Sequence, residues 1–174
     1  MNTPLFKQRK KNTCGLTALK IVLAYFGTNI SEEELVKLTG KIRPYGVRTV
    51  KLREAAQKLG FETEYLSYNK RLAGGKAKIK KPDTNDILKY LTIGVPVIVA
   101  VRSSLLYDER LKDEGHFIVI REYRKGLFYY NDPTDGKEHN IHEESLRFVW
   151  FNNVLDSSAY FLAMWPKKFL RTRE

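Results

Sequence analysis

The chain has 174 residues, enough to bury a core in one domain, and a single cysteine, which excludes an internal disulfide and a multi-cysteine zinc site. Lys and Arg outnumber Asp and Glu by 31 to 20, a formal net charge of +11 that weighs anionic partners against plain solvated lysine faces. No apolar run reaches the length of a membrane span and Met1 to Lys7 lacks the apolar stretch of a secretory signal, so the expectation is a soluble, cytoplasmic protein.

In chain order, Cys14-Gly15 opens a segment in which Leu16, Leu19, Ile21, Val22, Leu23, Tyr25 and Phe26 leave no polar side, which predicts a central, buried helix ended by Gly27. Ser31 and Glu34 have capping-box spacing and start a short helix to about Leu38, closed by Gly40. Thr49 is a candidate cap for a third helix running through Leu59 to Gly60, and Phe61 to Leu66 reads as an alternating strand. From Asn69 to Asp83 the composition turns to Lys, Gly and Pro, the signature of a flexible basic excursion.

Thr84 is a candidate cap for a helix through Leu91, and the apolar run Val95 to Val101 reads as a buried strand. Further strands are predicted over His116 to Tyr123, Leu127 to Asn131 and Ala159 to Trp165, with a short helix from His142 to Trp150. Helices first and strands later predict an α+β fold. One domain over residues 1–174 is expected, with a helical part over about 1–68, the excursion over about 69–83 and a part rich in antiparallel strands over about 84–174.

The chemistry starts from Cys14. A thiol on the first turn of a helix feels unpaired backbone N–H groups and the positive end of the helix dipole, both of which favour thiolate. A nucleophile of this kind needs a base and a third group that holds the base in the correct tautomer. His116 is the best base of the three histidines because it begins an apolar strand that anchors it, whereas His139 and His142 lie in a polar stretch. Asp132 is the candidate third group. If Arg124-Lys125-Gly126 is a three-residue hairpin loop, facing residue numbers sum to 250, so that Asp132 faces Ile118 and His116 faces Thr134 on one face of the sheet. A two- or four-residue loop without a compensating bulge puts His116 and Asp132 on opposite faces.

Gln8, Cys14-Gly15, Tyr25-Phe26-Gly27, Gly115-His116-Phe117 and Asn131-Asp132-Pro133, in this order and spacing, resemble the peptidase domains of bacteriocin-processing ABC transporters and their stand-alone relatives. The resemblance runs from about Gln8 to Trp165 and implies a papain-like cysteine peptidase. It implies that Cys14 is the nucleophile, His116 the general base and acid, Asp132 the orienting residue and Gln8 the oxyanion donor. It further implies a peptide or protein substrate, which in transporter-linked members is a leader peptide cut after two small residues. No cofactor is called for. The chain departs from those members in having no transporter segments, no phosphate-binding loop, and Thr13 where an acidic residue often precedes the cysteine.

Two other readings share these residues: a noncatalytic module that binds peptide or nucleic acid, and an acyl transferase in which an amine resolves the thioester. Nucleic acid is the weaker partner, since Phe128, Tyr129 and Tyr130 read as strand residues before they read as a base-stacking platform. The His139-x-x-His142 pair with Glu138, Glu143 and Glu144 offers no organised metal ligand set, so no metal is expected. Arg9, Lys10 and Lys11, between Gln8 and Cys14, are expected to raise the positive potential around the thiol and to draw acidic substrates.

Overall fold

The structure is a computed structural model that describes residues 1–70, 75–110, 114–152 and 159–169. Part of the basic excursion (71–74) and the end of the basic tail (170–174) therefore lie outside the described residues. Helix α1 (Cys14–Tyr25) is buried on nearly every side, as its uninterrupted apolar composition demands, and packs against two further helices, α2 (Glu32–Thr39) and α3 (Thr49–Lys58). Beyond them come β1 (Phe61–Ser67), β2 (Lys78–Ile79), α4 (Thr84–Thr92), β3 (Val97–Arg102) and the single turn α5 (Ser103–Leu106). The chain continues through β4 (Gly115–Arg124), β5 (Leu127–Asp132), β6 (Lys137–His142), α6 (Glu143–Phe151) and β7 (Phe161–Pro166).

The strands form one seven-stranded sheet in the order β2-β1-β7-β3-β4-β5-β6. It is antiparallel except at the β1–β2 edge, where the basic excursion returns as a short parallel strand. The sheet also reaches into the part expected to be helical, because β1 pairs with β7 near the end of the chain. Both faces of the centre are covered. On β3, Ile98 and Ala100 pack with α1, α2 and α3, while Val97, Val99 and Val101 pack with Ile87 of α4 and Leu146, Val149 and Trp150 of α6. A strand buried on both faces has no polar side, which is why Val95 to Val101 reads as an unbroken apolar run.

Two cap assignments differ from expectation. Ser31 and Glu34 form the capping box of α2. At α4, however, the cap is Asp83, whose carboxylate accepts the N–H groups of Asn85 and Asp86; Asp86 reciprocates. A carboxylate outcompetes the neighbouring hydroxyl for those amides, and Thr84 instead donates to Glu143 at 2.6 Å. Helix α3 has Arg48 at its cap position with no side-chain cap, and Thr49 is the first helical residue.

The β4–β5 hairpin also corrects the expected turn. Arg124 pairs with Leu127, so the loop is the two residues Lys125 and Gly126, both at positive φ (52° and 81°). That is the backbone of a tight hairpin whose twist matches its strands. Near the turn the facing residues sum to 251, and a bulge between Ile120 and Glu122 restores the sum of 250 at Ile120↔Tyr130 and Val119↔Asn131. The loop length was wrong and the register at the far end was right, because a bulge absorbs the residue that a shorter loop removes.

Candidate active site

Cys14 begins α1, where the chain turns inward after Lys10-Lys11-Asn12-Thr13. Thr13 closes this turn by donating its N–H and its hydroxyl to the Lys10 carbonyl at 3.1 and 3.0 Å. The next residue is glycine for a packing reason. A Cβ on Gly15 would lie 3.1 Å from the Phe117 ring and 3.4 Å from Leu52, so only hydrogen lets the helix start close down on β4 beside His116.

His116 and Asp132 come from the open ends of β4 and β5. Carried one residue beyond Val119↔Asn131, the ladder sets Asp132 across from Ile118, two positions from His116 on the same face. His116 Nε2 lies 2.8 Å from Asp132 Oδ1, and the imidazole is also hydrogen-bonded to the Cys14 thiol. With Nε2 facing the carboxylate, Nδ1 is the ring nitrogen left for sulfur. The three groups are almost closed to water: Cys14 is 7% exposed, His116 5% and Asp132 1%.

Burial alone would keep all three neutral, and their mutual arrangement overrules it. Desolvation pushes the Cys14 thiol up, but the hydrogen bond and positive charge of His116, together with the backbone N–H groups of Phe117 and Gly15, bring it below the ordinary thiol value. Desolvation likewise disfavours the imidazolium, and the bonds to Asp132 and Cys14 outweigh it, raising His116. Asp132 is lowered against its own burial by His116, by the Thr134 N–H and by the Tyr107 hydroxyl. The chain carboxylate, imidazolium, thiolate is thus self-consistent in charge.

Two further members of this cluster were not singled out as site residues. Tyr107, after α5, donates its hydroxyl to Asp132 Oδ2 at 2.8 Å and lays its ring 5.8 Å from the His116 ring. Thr134 gives its backbone N–H to Asp132 Oδ1 at 2.8 Å, and its hydroxyl lies 3.3 Å from His116 Nε2. The hairpin register does place Thr134 near His116; nothing local marks Tyr107.

Gln8 joins the group through the backbone. Its N–H donates to the Pro133 carbonyl at 2.7 Å, next to Asp132, and its Nε2 donates to the Lys11 carbonyl at 3.2 Å in the turn before Cys14. The amide keeps a second N–H. The arm that carries it is pinned by Asn131, whose buried Nδ2 donates to Thr3 Oγ1 and the Pro4 carbonyl, both at 2.9 Å, and by Arg121, which donates to the Met1 carbonyl at 2.9 Å. Gly136 completes the contact, since a Cβ there would sit 3.0 Å from the Lys7 backbone nitrogen.

The positive charge of the basic arm is partly offset by exposed ion pairs. Arg9 pairs with Glu33 at 2.8 Å and Lys11 with Glu114 at 2.9 Å, so two of the three cations beside the thiol are already matched. His139 bonds Asp135 at 2.8 Å and stacks on Tyr130 instead of turning toward His142. Among the described residues no group of three or more His, Cys, Asp or Glu side chains is arranged to hold a metal ion, and no helix is long and apolar enough to cross a membrane.

A buried helix led by a cysteine and packed on an antiparallel sheet whose strand ends carry histidine and aspartate is the architecture of the papain-like cysteine peptidases. The chain belongs to the Peptidase_C39 like family, whose model matches residues 1–154. Solved structures with this fold include the peptidase domain of Streptococcus ComA, a bi-functional ABC transporter involved in a quorum sensing pathway, with TM-score 0.70, 23% identity, and coverage of 95% of this chain and 100% of that one. The double glycine motif protease of an AMS/PCAT transporter, solved with its leader peptide, gives TM-score 0.61 at 21% identity, covering 95% of this chain and 93% of that one. The peptidase domain of Streptococcus mutans ComA gives 0.57 at 23%, covering 94% and 99%. None of the curated proteins compared with the chain matches it.

Proposed function

We propose that the chain is a cysteine peptidase that hydrolyses a peptide bond through a thioester on Cys14. The observation that carries this reading is the continuous hydrogen-bonded path from Asp132 through His116 to the Cys14 sulfur in a site almost closed to water. In this reading the thiolate attacks the peptide carbonyl, and the imidazolium passes its proton to the departing amine. His116 then takes a proton from the water that releases the acyl group. Asp132 holds the imidazole oriented and stabilises its charge, and Tyr107 and Thr134 hold Asp132 in turn. The free N–H of the Gln8 amide and the backbone N–H at the start of α1 supply the donors for the oxyanion.

The relatives lend support to a substrate class. A protease whose printed description includes a double glycine motif and a bound leader peptide shares this fold, so a peptide segment with small residues at the cut is the substrate assigned to this chain. Residues 1–174 are read as one peptidase domain acting in the cytoplasm, with water resolving the thioester. The test is digestion of a proteome-derived peptide library with wild type and Cys14→Ala, read by mass spectrometry of the new termini. Cleavage by wild type alone, at a recurrent sequence, is expected; identical digests overturn the proposal.

A further inference from the structure

A second cluster of cations lies away from the N-terminal arm. The loop between α2 and α3 shapes an open cavity of about 470 Å³ whose lining includes Lys41, Arg43, Tyr45, Arg48 and Lys51. Among the described residues no carboxylate pairs with Lys41, Arg43 or Arg48, and Arg48 instead lies over the exposed Tyr45 ring at 5.9 Å. Lys51 does meet Glu54, at 2.7 Å, but Glu54 is shared with Lys76 and held down at about 2 by the two ammonium groups, Lys51 first. The positive end of α3 adds to the same potential, since its cap position provides no side-chain acceptor. A concave wall of cations focuses this field into the cavity.

The cavity also touches the segment that delivers the nucleophile. Asn12 donates its side-chain amide to the Arg43 carbonyl at 3.0 Å, and its own carbonyl lies so close to Gly46 that a Cβ there would be 3.2 Å away. Gly46 sits at φ 91°, so glycine suits this clasp on two counts. Asn12 and Cys14 are two residues apart, at most about 7 Å between Cα atoms, and an extended peptide advances roughly 3.3 Å per residue. An extended peptide lying across Cys14 and running toward Asn12 would span this separation in about four residues.

We infer that this cavity receives carboxylate side chains of the peptide substrate, which makes acidic peptides the favoured substrate class. The inference rests on the peptidase reading of Cys14. Guanidinium forks and a neighbouring ring suit carboxylates presented by a chain, with Arg43 and Arg48 as the pairing groups. The effect is a selectivity for charge near the cut, added to whatever the cut itself requires.

The test uses Cys14→Ala protein, which binds without cutting, and two fluorescein-labelled peptides, Glu-Glu-Gly-Gly-Ala-Glu-Glu and its all-glutamine counterpart, followed by fluorescence anisotropy. The Glu peptide should bind about tenfold more tightly, and the preference should shrink as salt is raised. Arg43→Gln with Arg48→Gln should erase the preference, while Lys167→Gln with Lys168→Gln, an equal loss of charge elsewhere, should leave it. No preference, equal losses in the two double variants, or preference for an oligothymidylate competitor over the Glu peptide would each overturn the inference. Iodoacetamide alkylation of a second preparation of the Arg43/Arg48 double variant that retains Cys14 reports that the site is intact, and Lys41→Gln takes its place if alkylation is lost. A reactive thiol without a Glu preference overturns the cavity alone. An ordinary, unreactive thiol in wild type overturns the peptidase reading, and the cavity's substrate role with it.

Discussion

At the scale of single residues, a buried carboxylate keeps its charge only if its lone pairs are used, and Asp132 uses them on His116, Tyr107 and Thr134. Removing one donor leaves an unmatched oxygen inside the protein, a cost of about 1–3 kcal/mol that falls on the carboxylate bonded to His116. Tyr107→Phe keeps the ring beside His116 and deletes only the hydroxyl. It is expected to lower kcat about tenfold with KM unchanged, measured on any peptide found to be cleaved; an unchanged kcat removes Tyr107 from the positioning of Asp132. Cys14, His116 and Asp132 are legible in the chain because each sits at the start or end of an element with a strong local signature. Tyr107 is not, since its partner is 25 residues away and the single turn before it is too short to leave a periodic pattern.

At the scale of elements, the site depends on how closely α1 approaches β4. Gly15→Ala pushes a methyl group to 3.1 Å from Phe117, and the helix start has to lift. The expected result is a loss of about 1–3 kcal/mol in stability by urea denaturation, with a larger proportional loss of activity, and partial recovery of both with Phe117→Leu. Full activity in Gly15→Ala contradicts this account of the close approach. The long, strongly patterned elements were readable: α1, the capped α2, and the apolar strands β3, β4 and β7 lie where hydrophobic spacing puts them. Strand β6 was not. Its Lys137–His142 sequence is polar, because it is an edge strand with little to bury, and it reads as a turn until its ladder with β5 is seen. The hairpin bulge at Arg121 likewise leaves no mark in the residues on either side.

For the whole molecule, the same charges link the site to global stability. Asp132 is held below its ordinary value of 3.8 in the folded protein, so its contribution is present above that value and is lost as the pH falls and the folded state must take up a proton. The urea midpoint of wild type should therefore drop on acidification from neutral pH more steeply than that of Asp132→Asn, which has no such proton to bind. Parallel curves for the two proteins contradict the linkage. The fold class followed from the order of helices and strands. That one sheet runs through both halves, with β1 bound to β7, depends on contacts made across about a hundred residues, which no local window contains.

The central claim, that His116 holds Cys14 as a thiolate, is tested most directly by the rate of iodoacetamide alkylation of Cys14 against pH, in wild type and His116→Ala. Wild type should react well below the pH at which an ordinary thiol near 8.5 does, and His116→Ala should shift the reaction to higher pH. Superimposable curves for the two proteins, both rising as an ordinary thiol does, would contradict it.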